Sequence, residues 1–212
     1  EGGTRTARGA GGQRTVFRRS KEKPRIGLFM DNSIQTNLEN LYSQDRELQN
    51  AAFFAILEAT EKPVEWAYEV WDRLVESLSH KDNHVRAIAA QVLCNLAKSD
   101  PNKRMLKNFA ALLAVTKDER FVTARHCLQS LWKVGVVGKA QQQIVVDGLA
   151  GRFNECSTEK NCTLIRYDII QSLKYAYDVV RDETIKEKAL ALIETEEDQK
   201  YKKKYARVWR KK

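Results

Sequence analysis

From Val85 onward, apolar and small residues fall at Val85, Ala89, Val92, Leu93 and Leu96. Steps of three and four lay one stripe along an α-helix. The pattern returns at Leu48, Ala52, Ala55, Ile56 and Ala59, and again at Ile165, Ile169, Leu173 and Ala176. A broken version begins at Phe121 and continues through Leu128 and Trp132, with Arg125 interrupting it. The starts lie 37, 36 and 44 residues apart. Asp45, Asp82 and Asp118 stand three residues before the first three starts, and Cys162 before the fourth. An aspartate there accepts hydrogen bonds from the unpaired N–H groups of a helix start and suits its dipole.

Each stripe ends at a breaker: Pro63, Pro101, the Gly135–Gly138 stretch, and Asp182 in VVRDET. Pro stops one helix and fits the first turn of the next. Second stripes follow at Trp66, Val70, Leu74 and Leu78, then at Leu106, Ala110 and Leu113. The last two are Ile144, Val145, Gly148, Leu149 and Phe153, then Ile185, Ala189, Leu192 and Ile193. The unit is therefore helix, tight turn, helix. One such pair cannot bury its apolar face alone, whereas a stack of pairs can.

At this repeat length, Asp-x-x-Val-Arg-x-x-Ala-x-x-x-Leu followed by Pro at the internal turn resembles the HEAT-repeat family. DNHVRAIAAQVLCNLAKSDP (82–101) carries the pattern most fully, then DRELQNAAFFAILEATEKP (45–63). DERFVTARHCLQSLWKVG and CTLIRYDIIQSLKYAYD carry it weakly, and together the units cover about residues 41–195. The Arg beside the first apolar position stands at Arg86 and Arg166, and is Gln49 and Val122 elsewhere. The resemblance implies an all-α fold, a right-handed α-solenoid of about four helix pairs whose second helices line a concave face. It assigns structural roles to Asp45, Asp82, Asp118, Arg86, Arg166, Pro63 and Pro101.

The net charge of +9 is unevenly spread. Residues 1–30 carry +6, residues 199–212 carry +8, and the body between them −5. Electrostatic attraction for nucleic acid therefore concerns the ends. Residues 1–30, rich in Gly and Arg and poor in apolar residues, are expected to be a disordered basic leader or a non-native segment. Residues 31–198 form the expected solenoid, and residues 199–212 a basic, aromatic C-terminal helix or tail. Four cysteines without a CxxC pair fit small buried residues in a reducing, cytoplasmic setting, with a Cys156–Cys162 disulfide the lesser alternative. No run of residues is long and apolar enough for a membrane helix.

Candidate chemistry is sparse. His80 and His84 straddle the expected helix start at Asp82, so a shared metal is not expected. His126 and Cys127 point about 100° apart on one helix. Phosphate-cradle and nucleophile-elbow motifs are absent from the sequence. The expectation is a protein that is not an enzyme and takes no cofactor: a HEAT-repeat scaffold or adaptor binding another protein. Trp66 and Trp71 are candidate anchors on the second helix of the first unit. In the tail, Lys202, Lys203, Lys204, Arg207, Trp209 and Arg210 form a second candidate surface. The alternative is nucleic-acid binding, either through phosphate contacts and aromatic stacking by that tail or through a basic concave groove, as the architectural resemblance to HEAT-like alkylated-DNA glycosylases implies; the Trp, Asp and Arg implied at their lesion sites match no local motif here. Oligomeric state is left open.

Overall fold

The computed structural model describes residues 30–210. The expected disordered leader (1–29), Lys211 and Lys212 lie outside the described residues. Among the described residues the regular structure is helical and contains no β-strand. The helices are α1 Asn32–Asn40, α2 Arg46–Ala59, α3 Ala67–Ser77, α4 Asn83–Leu96, α5 Arg104–Ala114 and α6 Phe121–Ser130. They continue with α7 Trp132–Gly135, α8 Lys139–Glu155, α9 Cys162–Val180, α10 Glu183–Glu194 and α11 Gln199–Arg210. None is long and apolar enough to cross a membrane.

Aspartates start these helices. The carboxylate of Asp45 accepts from the N–H groups of Glu47 and Leu48, and that of Asp82 from His84 N–H at 2.9 Å. Asp182 and Asp31 cap α10 and α1 in the same way. Asp118 accepts from Arg120 N–H at 2.8 Å just before α6. A buried Asp100, ahead of Pro101, receives the N–H groups of Arg104 and Met105 and the Tyr68 hydroxyl. That carboxylate holds α5 in place although Lys103, the residue before the helix, takes a left-handed φ of 55°. Pro63 and Pro101 lie exposed in the turns, as the repeat pattern requires.

Two rows organise the packing. In chain order α2, α4, α6 and α9 lie side by side, and so do α3, α5, α8 and α10. α1 packs on α2, and α11 on α9 and α10 at the other end. Two of the four first-row stripes are buried as read: Val85, Ala89, Val92, Leu93 and Leu96 in α4, and Ile165, Ile169, Leu173 and Ala176 in α9. The third first-row helix is in two pieces, α6 and α7, with Leu131 at the joint. The second-row stripe on α5 is displaced by one position throughout, and that on α3 only at its first two positions, Leu74 and Leu78 being buried as read. α3 buries Ala67, Trp71, Leu74 and Leu78, and α5 buries Met105, Phe109 and Leu112. A one-residue slip is about 100° of helix rotation. It follows from adjacent apolar pairs, Trp66–Ala67 and Val70–Trp71 at α3 and Met105–Leu106 and Leu112–Leu113 in α5, which let either stripe fit the spacing.

Candidate interaction surfaces

Polar ladders join neighbouring first-row helices. Arg46, the first residue of α2, donates to Asp82 at 2.9 Å. Arg86 in α4 grips Asp118 through Nε and Nη2 at 2.5 and 2.8 Å, and its Nη1 donates to the carbonyls of His80 and Lys81. Arg125 in α6 grips Asp168 at 2.6 and 2.9 Å, and Gln129 adds an amide donor at 3.1 Å. Arg166 in α9 donates to Glu196 at 2.9 Å and to the Phe153 carbonyl. Asp82 therefore serves two purposes, capping α4 and receiving the guanidinium of α2, while Asp118 receives that of α4 and accepts the Arg120 N–H in the turn ahead of α6. At the opposite helix ends, Lys133 donates to Asn95 Oδ1 at 2.7 Å and Asn95 donates to Thr60 Oγ1 at 2.8 Å.

These contacts shift the protonation of the groups in them. The hydrogen bonds to Asp118 and Asp168 stabilise the charged guanidinium and raise the pKa of Arg86 and Arg125 respectively. Burial pushes the Asp118 carboxyl upward, but the Arg86 hydrogen bond, the Arg120 N–H and both guanidinium charges bring it below its ordinary value. The sequence pattern located Arg86 and Asp118, but took Arg125 for an interruption of a stripe. Its signal was an acid at Asp168, one helical turn past the fourth start, in the unit whose leading Asp is replaced by Cys162.

The exposed surface has two distinct faces. On the first row, Phe54 is 65% and Val122 63% exposed. Between them runs a groove bounded by α2, α4 and α6 and lined by Phe53, Ala87, Ile88, His84 and His126. Farther along the row, Tyr175 and Val179 are exposed too. Adjacent Phe53 and Phe54 cannot both face inward on one helix, and this was the sequence signal for an outward aromatic.

α11 forms the second face. Tyr205 and Val208 are buried, and the Tyr205 hydroxyl donates to the Thr163 carbonyl at 2.9 Å. Burial foremost raises the Tyr205 pKa well above the ordinary tyrosine range. Trp209 is half-buried, 5.3 Å between ring centres from Tyr177. Lys202 is held by the carbonyl and carboxylate of Glu194. Lys203, Lys204, Arg207 and Arg210 are exposed, with the Lys204 ammonium 4.8 Å from the centre of the Tyr167 ring. A cleft of about 720 Å³ opens beside Trp209, lined by Lys174, Arg181 and Lys186 with Tyr175 and Tyr177. Within it Lys174 is paired with Asp178, and Lys186 with Glu183.

The two tryptophans on the first unit separate. Trp71 lies inside the core and donates its indole N–H to Asn108 at 3.0 Å. Trp66 is half-buried against the core, the one of the two with an accessible edge. His80 accepts the Asp82 N–H at its Nδ1, shaping the turn before α4. Among the described residues, no group of three or more His, Cys, Asp or Glu is placed to hold a metal ion.

Within the described residues, the first unit and α11 differ in charge. Residues 30–79 hold ten Asp and Glu against three Lys and Arg, a net −7, while α11 holds six Lys and Arg and no acid. Glu69, Asp72 and Glu76 on α3 and Glu65 in the turn before it are all exposed.

No protein-family model and no curated protein matches this sequence. Among solved structures, three crystal structures of engineered proteins are similar to it. One aligns at 20% identity over 84% of this chain and 80% of its own, with a TM-score of 0.49. A second aligns at 19% identity over 84% and 78%, with a TM-score of 0.46. The third aligns at 18% identity over 84% and 47%, with a TM-score of 0.45.

Proposed function

We propose that this chain is a HEAT-like, right-handed α-solenoid of about four helix pairs, acting as a non-catalytic scaffold that binds another protein in a reducing compartment such as the cytoplasm. The row-by-row packing and the Arg–acid contacts between successive units support the solenoid reading. One observation carries the binding reading: the groove between α2, α4 and α6, with Phe54 and Val122 exposed on its rim. Large exposed apolar side chains beside a groove, rimmed by polar residues, are characteristic of protein-binding surfaces.

The test uses the full chain as bait under stringent washing, beside F54D/V122D and K203E/R207E/R210E variants. The reading expects a protein partner retained by the wild type and the α11 variant, and lost with F54D/V122D. Retention by F54D/V122D with loss in the α11 variant would overturn it. Small-angle scattering on the same material checks the architecture, since a stack gives an elongated particle and a bundle around one centre does not.

The second reading, nucleic-acid binding, is favoured by the exposed Lys203, Lys204, Arg207 and Arg210 beside aromatic rings. It expects a gel shift that weakens steeply with salt and disappears when those four cations are neutralised. Binding that survives their loss would exclude α11 as the site.

A further inference from the structure

The four cysteines fall into two environments. Cys94 and Cys127 are fully buried in first-row helices. Burial pushes the Cys94 thiol up to about 12 and raises Cys127 as well, and such thiols are inert. Cys156 and Cys162 instead face each other across the turn between α8 and α9, both as free thiols. Cys156 closes α8 and is buried; Cys162 opens α9 and is half-buried. Their sulfur atoms are 2.7 Å apart. A disulfide needs about 2.05 Å, so the sulfurs need to approach by only about 0.7 Å.

We infer that Cys156 and Cys162 form a reversible dithiol–disulfide site that low-molecular-weight disulfides such as oxidised glutathione can close. Cys162, the more accessible, attacks as thiolate on one sulfur of the oxidant. The oxidant's S–S bond breaks, one glutathione leaves as thiolate, and Cys162 carries the other in a mixed disulfide. The Cys156 sulfur, once deprotonated, then attacks Cys162 Sγ and displaces the second glutathione. Two protein thiols are oxidised, one small disulfide is reduced to two thiols, and the two protein protons end on glutathione or in water.

The surroundings of Cys156 change between the two steps, while its burial persists through both. Cys156 is raised to about 12 by burial first, then by the hydrogen bond and charge of Cys162. The contributions from Cys162 vanish once it is in a mixed disulfide, while the positive charges of Arg166 and Arg152, which oppose the rise, remain. The bond would join two points around which several contacts converge. Arg152 pairs with Glu159 across this turn, Arg166 donates to the Phe153 carbonyl, and the Tyr205 hydroxyl rests on Thr163. Oxidation would therefore fasten the seat on which α11 docks.

The native full chain is incubated with oxidised glutathione, and its free thiols are then alkylated in denaturant. Intact mass and peptide mapping read the products. The inference expects two of the four cysteines protected as one cross-linked 156–162 peptide, with Cys94 and Cys127 alkylated, and full reversal by dithiothreitol. C162S should abolish the cross-link and leave Cys156 unmodified; C156S should stop at glutathione on Cys162. Four alkylated thiols in the wild type, or a wild-type product that remains glutathionylated at Cys162, would overturn it. Circular dichroism on both serine variants confirms that they remain helical.

Discussion

The joint between α4 and α6 and the joint between α6 and α9 use the same chemistry in different places. At the first, Arg86 grips Asp118, which precedes its helix and also accepts the Arg120 N–H of the turn. At the second, Arg125 grips Asp168, which lies inside α9 and caps nothing. The side chains of Asp118 and Asp168 are 4% and 2% exposed, whereas those of Arg86 and Arg125 are 13% and 35% exposed. The carboxylate is thus the more buried partner at both joints. Asp118 retains a backbone donor if its arginine is lost; Asp168 retains the side-chain amide of Gln129. A joint between units therefore needs a paired guanidinium and carboxylate, but not a fixed sequence position for the acid.

The largest effect is expected at the third-unit joint. R125A leaves a carboxylate inside the protein without its cation and should cost about 3 kcal/mol in urea unfolding. D168A leaves only a partly exposed guanidinium, which can turn to water, and should cost about half as much. Equal losses from the two variants would show that burial of the acid does not set the cost.

R86A should cost about 2 kcal/mol, because Asp118 keeps the Arg120 N–H. It also carries a pH signature. The folded-state pKa of Asp118 is lowered, so its contribution to stability is complete above pH about 4 and is lost as pH falls further through the lowered value. Stability measured from pH 5 down to pH 2 should fall less steeply in R86A than in the wild type. An unchanged acid limb would mean that the pair contributes no linkage.

R46A tests the exposed end of the series. Its guanidinium side chain is 44% exposed, so the loss should stay within about 1 kcal/mol. The smallest expected effect is spectroscopic. Burial first, then the charge of Arg125, lowers the His126 pKa. Imidazole resonances should titrate below the ordinary histidine value in the wild type and move upward in R125A, where the Arg125 charge is gone and the Asp168 carboxylate is left to raise the pKa.

Two stripes of the first row were legible from the sequence because they set β-branched, leucine and small residues at fixed helical spacing, with an Asp cap ahead of the one in α4. Val85 to Leu96 and Ile165 to Ala176 are buried position for position. Leu48 was misleading: it is 42% exposed, and the neighbouring Gln49 is buried in its place, donating to the Leu41 carbonyl. α1 escaped because its single buried residue, Leu38, gives no repeating signal. The candidate surfaces were less legible. Trp71 and Trp66 read alike as letters, and only the rotation of α3 decides which is buried. Phe54 and Val122 lie off the stripe, where an apolar residue in a sequence looks like noise.

The first unit and α11 carry formal charges of opposite sign, −7 over residues 30–79 against +6 in α11. At physiological salt the screening length is about 8 Å. A charged molecule brought within that distance of either face therefore feels the local sign there, not the net charge of the whole chain.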